Sequence, residues 1–78
     1  MHFLREIRMF LGFSTREMAN KMEIGTPYYR KIENGKLKNK SAVDRLRRFL
    51  LSFKKDKKDQ ITVNRIENFE NKINDYLE

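Results

Sequence analysis

The sequence predicts an all-α fold of five short helices. Three observations carry that prediction. Apolar residues recur at spacings of three and four in successive stretches. Helix-starting and helix-stopping residues punctuate those stretches. No stretch carries strand signals, and there are no internal repeats or low-complexity tracts.

The elements follow in order. Phe3, Leu4, Ile7, Phe10 and Leu11 form one face of a first helix, with Gly12 as its left-handed terminator. Ser14 with Glu17 three residues later is a capping-box pattern, so a second helix starts at Thr15 with Met18, Ala19 and Met22 inward. After a break at Glu23-Ile24-Gly25, Thr26-Pro27 reads as an N-cap followed by proline at the first helical position. The third helix then runs to Glu33, with Tyr29 and Ile32 inward and Asn34-Gly35 as its stop. A basic loop, Lys36 to Lys40, leads to Ser41 as the expected cap of a fourth helix carrying Val43, Leu46, Phe49, Leu50 and Phe53. Residues 54–58 read as a basic connector between a domain of residues 1–53 and a C-terminal helix within 59–78. In that last helix Ile66, Phe69, Ile73 and Tyr76 repeat as an a/d-type seam, flanked by Ile61, Val63 and Leu77.

Composition narrows the function classes. A chain of 78 residues makes one compact domain, and at this size folding buries roughly 60–65% of the unfolded surface. With so thin a margin, a second apolar face is a candidate dimer interface. Without cysteine there is neither a disulfide framework nor a thiolate metal site, and the single histidine, His2, makes no metal site alone. No cofactor is expected. No apolar run approaches the roughly 18 residues of a membrane span, and nothing reads as a signal peptide, so the expected location is cytoplasmic. No carboxylate pair, nucleophile–base arrangement or glycine-rich phosphate loop points to an enzyme.

Charge is unevenly distributed. Residues 1–58 hold 16 Lys/Arg and 6 Asp/Glu, a balance of +10, whereas 59–78 hold 2 and 5, a balance of −3. A basic body with an acidic tail suits a polyanion bound by the body alone. A membrane surface fits less well, because the cations are not gathered on one face of a strongly apolar helix.

The stretch STREMANKMEIGTPYYRKIENGK, Ser14 to Lys36, resembles the helix-turn-helix of the Cro and phage-repressor (XRE-like) family. The likeness begins at LREIRMFLGFS, where Arg8, Gly12 and Ser14 fall in family positions, and ends on KIENGK. With a weaker match through the fourth helix it covers about residues 4–53. It implies a phage-repressor-like helix-turn-helix domain, whose helices with the C-terminal amphipathic helix number five, and double-stranded DNA as partner. It also implies an ion pair between Arg8 and Glu33. Three positions depart from the pattern: Thr15 stands where glutamine is common, Glu23 where the turn often has glycine, and Tyr29 where Ile or Val is usual.

Such a motif presents the N-terminal part of its third helix to base edges. By position these residues are Thr26, Pro27, Tyr28, Arg30 and Lys31, with Arg30 as the principal reader because its planar fork fits guanine O6 and N7 together. Tyr28 suits either a base edge or, through its hydroxyl, a phosphate. Phosphate contacts are expected from Ser14, Thr15 and Arg16 at the start of the second helix, and from Lys36, Lys38, Asn39 and Lys40 in the following loop. The Ile66–Phe69–Ile73–Tyr76 seam is expected to pair two copies on a palindromic operator. Its other reading completes the core of a single chain. The functional expectation is a transcriptional regulator, a repressor of phage, plasmid or restriction-modification controller type acting as a homodimer. The alternative is an antitoxin-like module whose C-terminal helix binds a partner protein.

Overall fold

A computed structural model describes the backbone of residues 2–78 and the side chains of residues 3–78, so the His2 side chain lies outside the described residues. The helices are α1 (His2–Leu11), α2 (Thr15–Lys21), α3 (Thr26–Glu33), α4 (Lys40–Lys55) and α5 (Gln60–Leu77), with no strand among the described residues. Helices α2, α4 and α5 begin on a capping side chain, and α1, α2 and α3 end on a left-handed residue.

Helices α1, α2 and α3 close in the same way. The residue after the cap turns left-handed at Gly12 (φ 72°), Glu23 (φ 58°) and Gly35 (φ 79°). The next amide then reaches back over the last turn: Phe13 N–H to Arg8 O at 2.9 Å, Ile24 N–H to Ala19 O at 3.0 Å and Lys36 N–H to Lys31 O at 2.8 Å. This is the Schellman arrangement, which satisfies carbonyls that the helix itself leaves open. Glycine takes the left-handed conformation without a Cβ clash, so Gly12 and Gly35 are unstrained there. Glu23 holds it at a steric cost of roughly 1–2 kcal/mol.

The helix starts differ from expectation in two places. Ser14 caps α2 in a full capping box: its Oγ accepts from Glu17 N–H at 3.1 Å, and Glu17 Oε1 accepts from Ser14 N–H at 3.0 Å. At α3, however, Thr26 is already helical. The cap is Gly25, which offers no side-chain acceptor, and Pro27 lies within the first turn. At α4 the cap is Asn39 rather than Ser41; its Oδ1 accepts from Ala42 N–H at 3.0 Å. Starting the helix at Lys40 leaves Ser41 inside the first turn, exposed, while Ala42, Val43, Leu46 and Leu50 face inward. Helix α4 also continues through Lys54 and Lys55 into the expected connector. There Lys54 Nζ lies 2.8 Å from Glu70 of α5.

One core unites all five helices. Leu4, Ile7, Met18, Ala19, Met22, Tyr29, Ile32, Ala42, Val43, Leu46, Leu50, Ile66, Phe69 and Ile73 are buried together. Helix α5 folds back along α4 and reaches α1, where Phe10 meets Phe69 edge-on at 5.5 Å and Phe3 meets Tyr76 at 6.0 Å.

That arrangement corrects the dimer assignment. Ile66 and Ile73 are wholly buried inside the chain, Phe69 nearly so, and Tyr76 is half-buried against the core. The seam is spent within one chain, because four short helices leave apolar surface on α1 and α4 that α5 covers. Residues 59–78 therefore share the core of residues 1–53. No helix among the described residues is long and apolar enough to cross a membrane.

Candidate nucleic-acid interface

Helices α2 and α3 pack closely because Ala19, buried where α2 meets the core, presents only a methyl group. Met18, Met22 and Ile32 fill the space around it, and Ile24 packs against them from the turn. The helical period then divides α3 into two faces. Tyr29 and Ile32, three residues apart, point into the core, which turns Pro27, Tyr28, Arg30 and Lys31 to solvent and leaves Thr26 half-exposed. Of the five expected base-contacting residues, Pro27, Arg30 and Lys31 thus form the outward edge of α3, with Thr26 and Tyr28 on its two flanks.

The angle of that edge is held from behind. Arg8 Nε lies 3.2 Å from Glu33 Oε2, joining α1 to the last turn of α3, and the same carboxylate oxygen accepts the Tyr29 hydroxyl. Arg8 also donates to the Phe13 carbonyl at 3.4 Å. The Tyr29 ring fills core volume while its hydroxyl finds a charged acceptor, as a buried phenol requires. Burial, with help from the Glu33 carboxylate, pushes that hydroxyl well above the usual phenol range. The hydrogen bond to Glu33 raises the Arg8 guanidinium above its already high ordinary value, against the opposing effect of burial. These are supporting groups behind the edge, not part of it.

Acidic groups near the edge are already engaged. Between residues 14 and 43 the only carboxylates are Glu17, Glu23 and Glu33. Glu17 closes the capping box, where the Ser14 backbone N–H lowers its pKa. Glu23 lies 3.7 Å from Arg45, and Glu33 is turned to Arg8. Among the described residues no carboxylate lies within ion-pair distance of Arg16, Arg30, Lys31, Lys36, Lys38 or Lys40, and all six are exposed. A run of cations without counter-charges can release condensed counterions from a phosphate backbone, and an unpaired guanidinium fork can hydrogen-bond a base edge.

The expected phosphate set divides. Lys36 and Lys38 lie exposed on the α3–α4 loop and Lys40 opens α4, although Lys38 Nζ also lies 5.2 Å from the Tyr76 ring centre. Ser14, Thr15 and Arg16 begin α2, but the capping box occupies the Ser14 amide and hydroxyl oxygen and sets the Glu17 carboxylate beside them. An anion approaching there meets an anion already in place, so Arg16 carries what remains of that flank. Asn39 is not a free surface amide. Its oxygen caps α4, its amide nitrogen donates to the Tyr28 hydroxyl at 3.2 Å, and its backbone N–H donates to the Tyr76 hydroxyl at 3.0 Å.

Two residues near the edge escaped sequence reasoning. Arg45 on α4 donates to the Met22 carbonyl at 2.9 Å and pins the end of α2 before the turn. In the sequence it belongs to Arg45-Leu46-Arg47-Arg48, which reads as a solvated face; Arg47 and Arg48 do pair locally with Asp44. Tyr76 was visible only as an apolar seam residue, and nothing in the pattern joined its hydroxyl to the basic loop. No group of three or more acidic or histidine side chains among the described residues is placed to hold a metal ion. No family model, curated protein or solved structure matches the chain.

Proposed function

We propose that the chain binds duplex DNA sequence-specifically, laying α3 in the major groove as a small transcriptional regulator. The carrying observation is the outward edge of α3. Arg30 and Lys31 lack acidic partners there, with Lys36 and Lys38 on the adjoining loop and Lys40 at the start of α4, while the neighbouring carboxylates are turned to a cap or to Arg8 and Arg45. The resemblance of Ser14 to Lys36 to the Cro and phage-repressor helix-turn-helix supports the same reading. Repression from a palindromic operator, with two copies bound, belongs to this proposal. With the Ile66–Ile73 seam buried in the chain, such a pair must meet through other surface. The alternative, a C-terminal helix that grips a partner protein, loses its apolar grip for the same reason.

Selection of binders from randomised duplex DNA tests the reading. Enrichment of a defined motif is expected, and a repeated half-site would report two copies. Recovery of no motif by a folded chain would refute sequence-specific binding. Arg30→Ala should relax preference at one base position by about 1–3 kcal/mol. Lys36→Ala should weaken all duplexes alike and lower the salt slope by about one. Lys36 is a cleaner probe than Lys38, whose ammonium also rests on Tyr76.

A further inference from the structure

The C-terminal helix reaches the proposed DNA-binding edge through three residues, Tyr76, Asn39 and Tyr28. Asn39 stands at its centre. Its Oδ1 is fixed by the cap bond to Ala42 N–H, so the orientation of the amide is set and its nitrogen must face Tyr28. Tyr28 flanks the outward edge of α3, 40% exposed. A phenol has one proton to donate and lone pairs to accept with. Because Asn39 donates to the Tyr28 oxygen, the Tyr28 proton turns away from Asn39 toward solvent. The Asn39 backbone N–H is in turn held by the Tyr76 hydroxyl from the last turn of α5. Lys38 covers the Tyr76 ring, and Gly35, Lys36 and Leu37 complete a shallow cleft around it.

We propose that Tyr28 donates its hydroxyl proton to a DNA phosphate, and that Tyr76 is the positioning residue that sets this contact through Asn39. The proposal rests on the DNA-binding reading and assigns Tyr28 to backbone contact rather than base reading. Its location favours that division: the hydroxyl is anchored toward the lysine loop, on the flank of α3 where phosphates are expected. The seam helix then adjusts affinity for duplex DNA without touching it.

The test uses the full chain and two fluorescent duplexes of about two helical turns, one of mixed sequence and one carrying the selected motif. Tyr28→Phe should weaken both duplexes equally, by about fivefold to tenfold. Its salt slope should not change, because no charge is removed. Tyr76→Phe keeps the ring and removes the acceptor for Asn39; it should weaken both duplexes by about threefold. In the Tyr28→Phe background the Tyr76→Phe effect should vanish, a non-additivity that a general loosening of the fold would not produce. Asn39→Ser, which keeps a cap oxygen but removes the amide donor, should behave as Tyr76→Phe does. Binding is measured well below each variant's melting midpoint, checked by circular dichroism.

Three results overturn the assignment while leaving DNA binding intact: no loss with Tyr28→Phe, a loss confined to the selected duplex, or additive losses in the double variant. A native chain that binds neither duplex overturns the DNA reading itself, and this proposal with it.

Discussion

Replacing Arg8 by methionine isolates the group that ties α1 to the proposed recognition helix. Methionine preserves much of the apolar stem, so the change removes chiefly the guanidinium. Arg8 and Glu33 retain 19% and 14% side-chain exposure, so water reaches the pair but does not bathe it. Breaking a fully buried pair costs about 3–5 kcal/mol through the charge left behind. Partial access lowers the expectation to about 2 kcal/mol, since Glu33 keeps the Tyr29 hydroxyl and some solvent. For a domain of this size that is a fall of roughly 8–16 °C in the melting midpoint. Glu33→Gln added to Arg8→Met should recover about 1 kcal/mol, because a neutral amide oxygen still accepts from Tyr29 and is cheaper to keep half-buried than a carboxylate that has lost its guanidinium. Urea and thermal unfolding followed by circular dichroism read all four corners of the cycle. A single-variant cost below about 0.5 kcal/mol, or no recovery in the double variant, would show that the pair does not hold the helices together.

Three further outcomes follow from the packing. Glu23→Gly should stabilise the fold by about 0.5–1 kcal/mol, because it relieves a left-handed residue. The lost contact with Arg45 is worth little, since the Glu23 side chain is 73% exposed; a lowered urea midpoint would contradict the strain. Ile73→Ala should cost about 2–5 kcal/mol and Ile73→Asp should unfold the chain, since this side chain has no solvent access. A folded Ile73→Asp chain with unchanged stability would place the seam outside the core. Stability should also fall above about pH 10, the ordinary phenol value. There the unfolded chain releases the Tyr29 proton while the native chain, whose Tyr29 pKa is raised, retains it, so the unfolded state binds fewer protons and gains with rising pH. Tyr29→Phe should remove this component of the alkaline loss in urea midpoints measured across that range; an identical alkaline profile would exclude Tyr29 as its source.

Local chemistry made much of α1 to α3 legible. Ser14 with Glu17, Gly12 and Asn34-Gly35 act within a few residues of themselves, so short-range pattern located those boundaries. The α4 start differs from expectation because Asn39 and Ser41 are both competent caps; in the fold Asn39 Oδ1 takes the Ala42 N–H and Ser41 joins the first turn. The inward face of α3 could be read from Tyr29 and Ile32, but the hydroxyl partner of Tyr29 is set by its position relative to Arg8 and Glu33. The resemblance had already suggested Arg8 with Glu33. It did not reveal that Tyr29, one of the departures from the family pattern, joins the same carboxylate.

The tail was the harder case, for a reason intrinsic to periodicity. Ile66, Phe69 and Ile73 announce that one stripe of α5 must leave water, and a stripe of that spacing fits the chain's own α4 as well as a second copy. What selects the first is supplied from elsewhere: Phe10 against Phe69, Phe3 against Tyr76, Lys54 to Glu70 and Lys72 to Glu6 at 3.3 Å all draw α5 back onto its own chain. The exposed pair contributes little by itself, whereas the aromatic contacts come with buried apolar area. Closing the core in this way also brings the Tyr76 hydroxyl to Asn39. An element that would otherwise have joined two copies instead sets the loop beside the proposed DNA-binding edge. Its effect on DNA affinity should therefore follow the integrity of one chain rather than the concentration of copies.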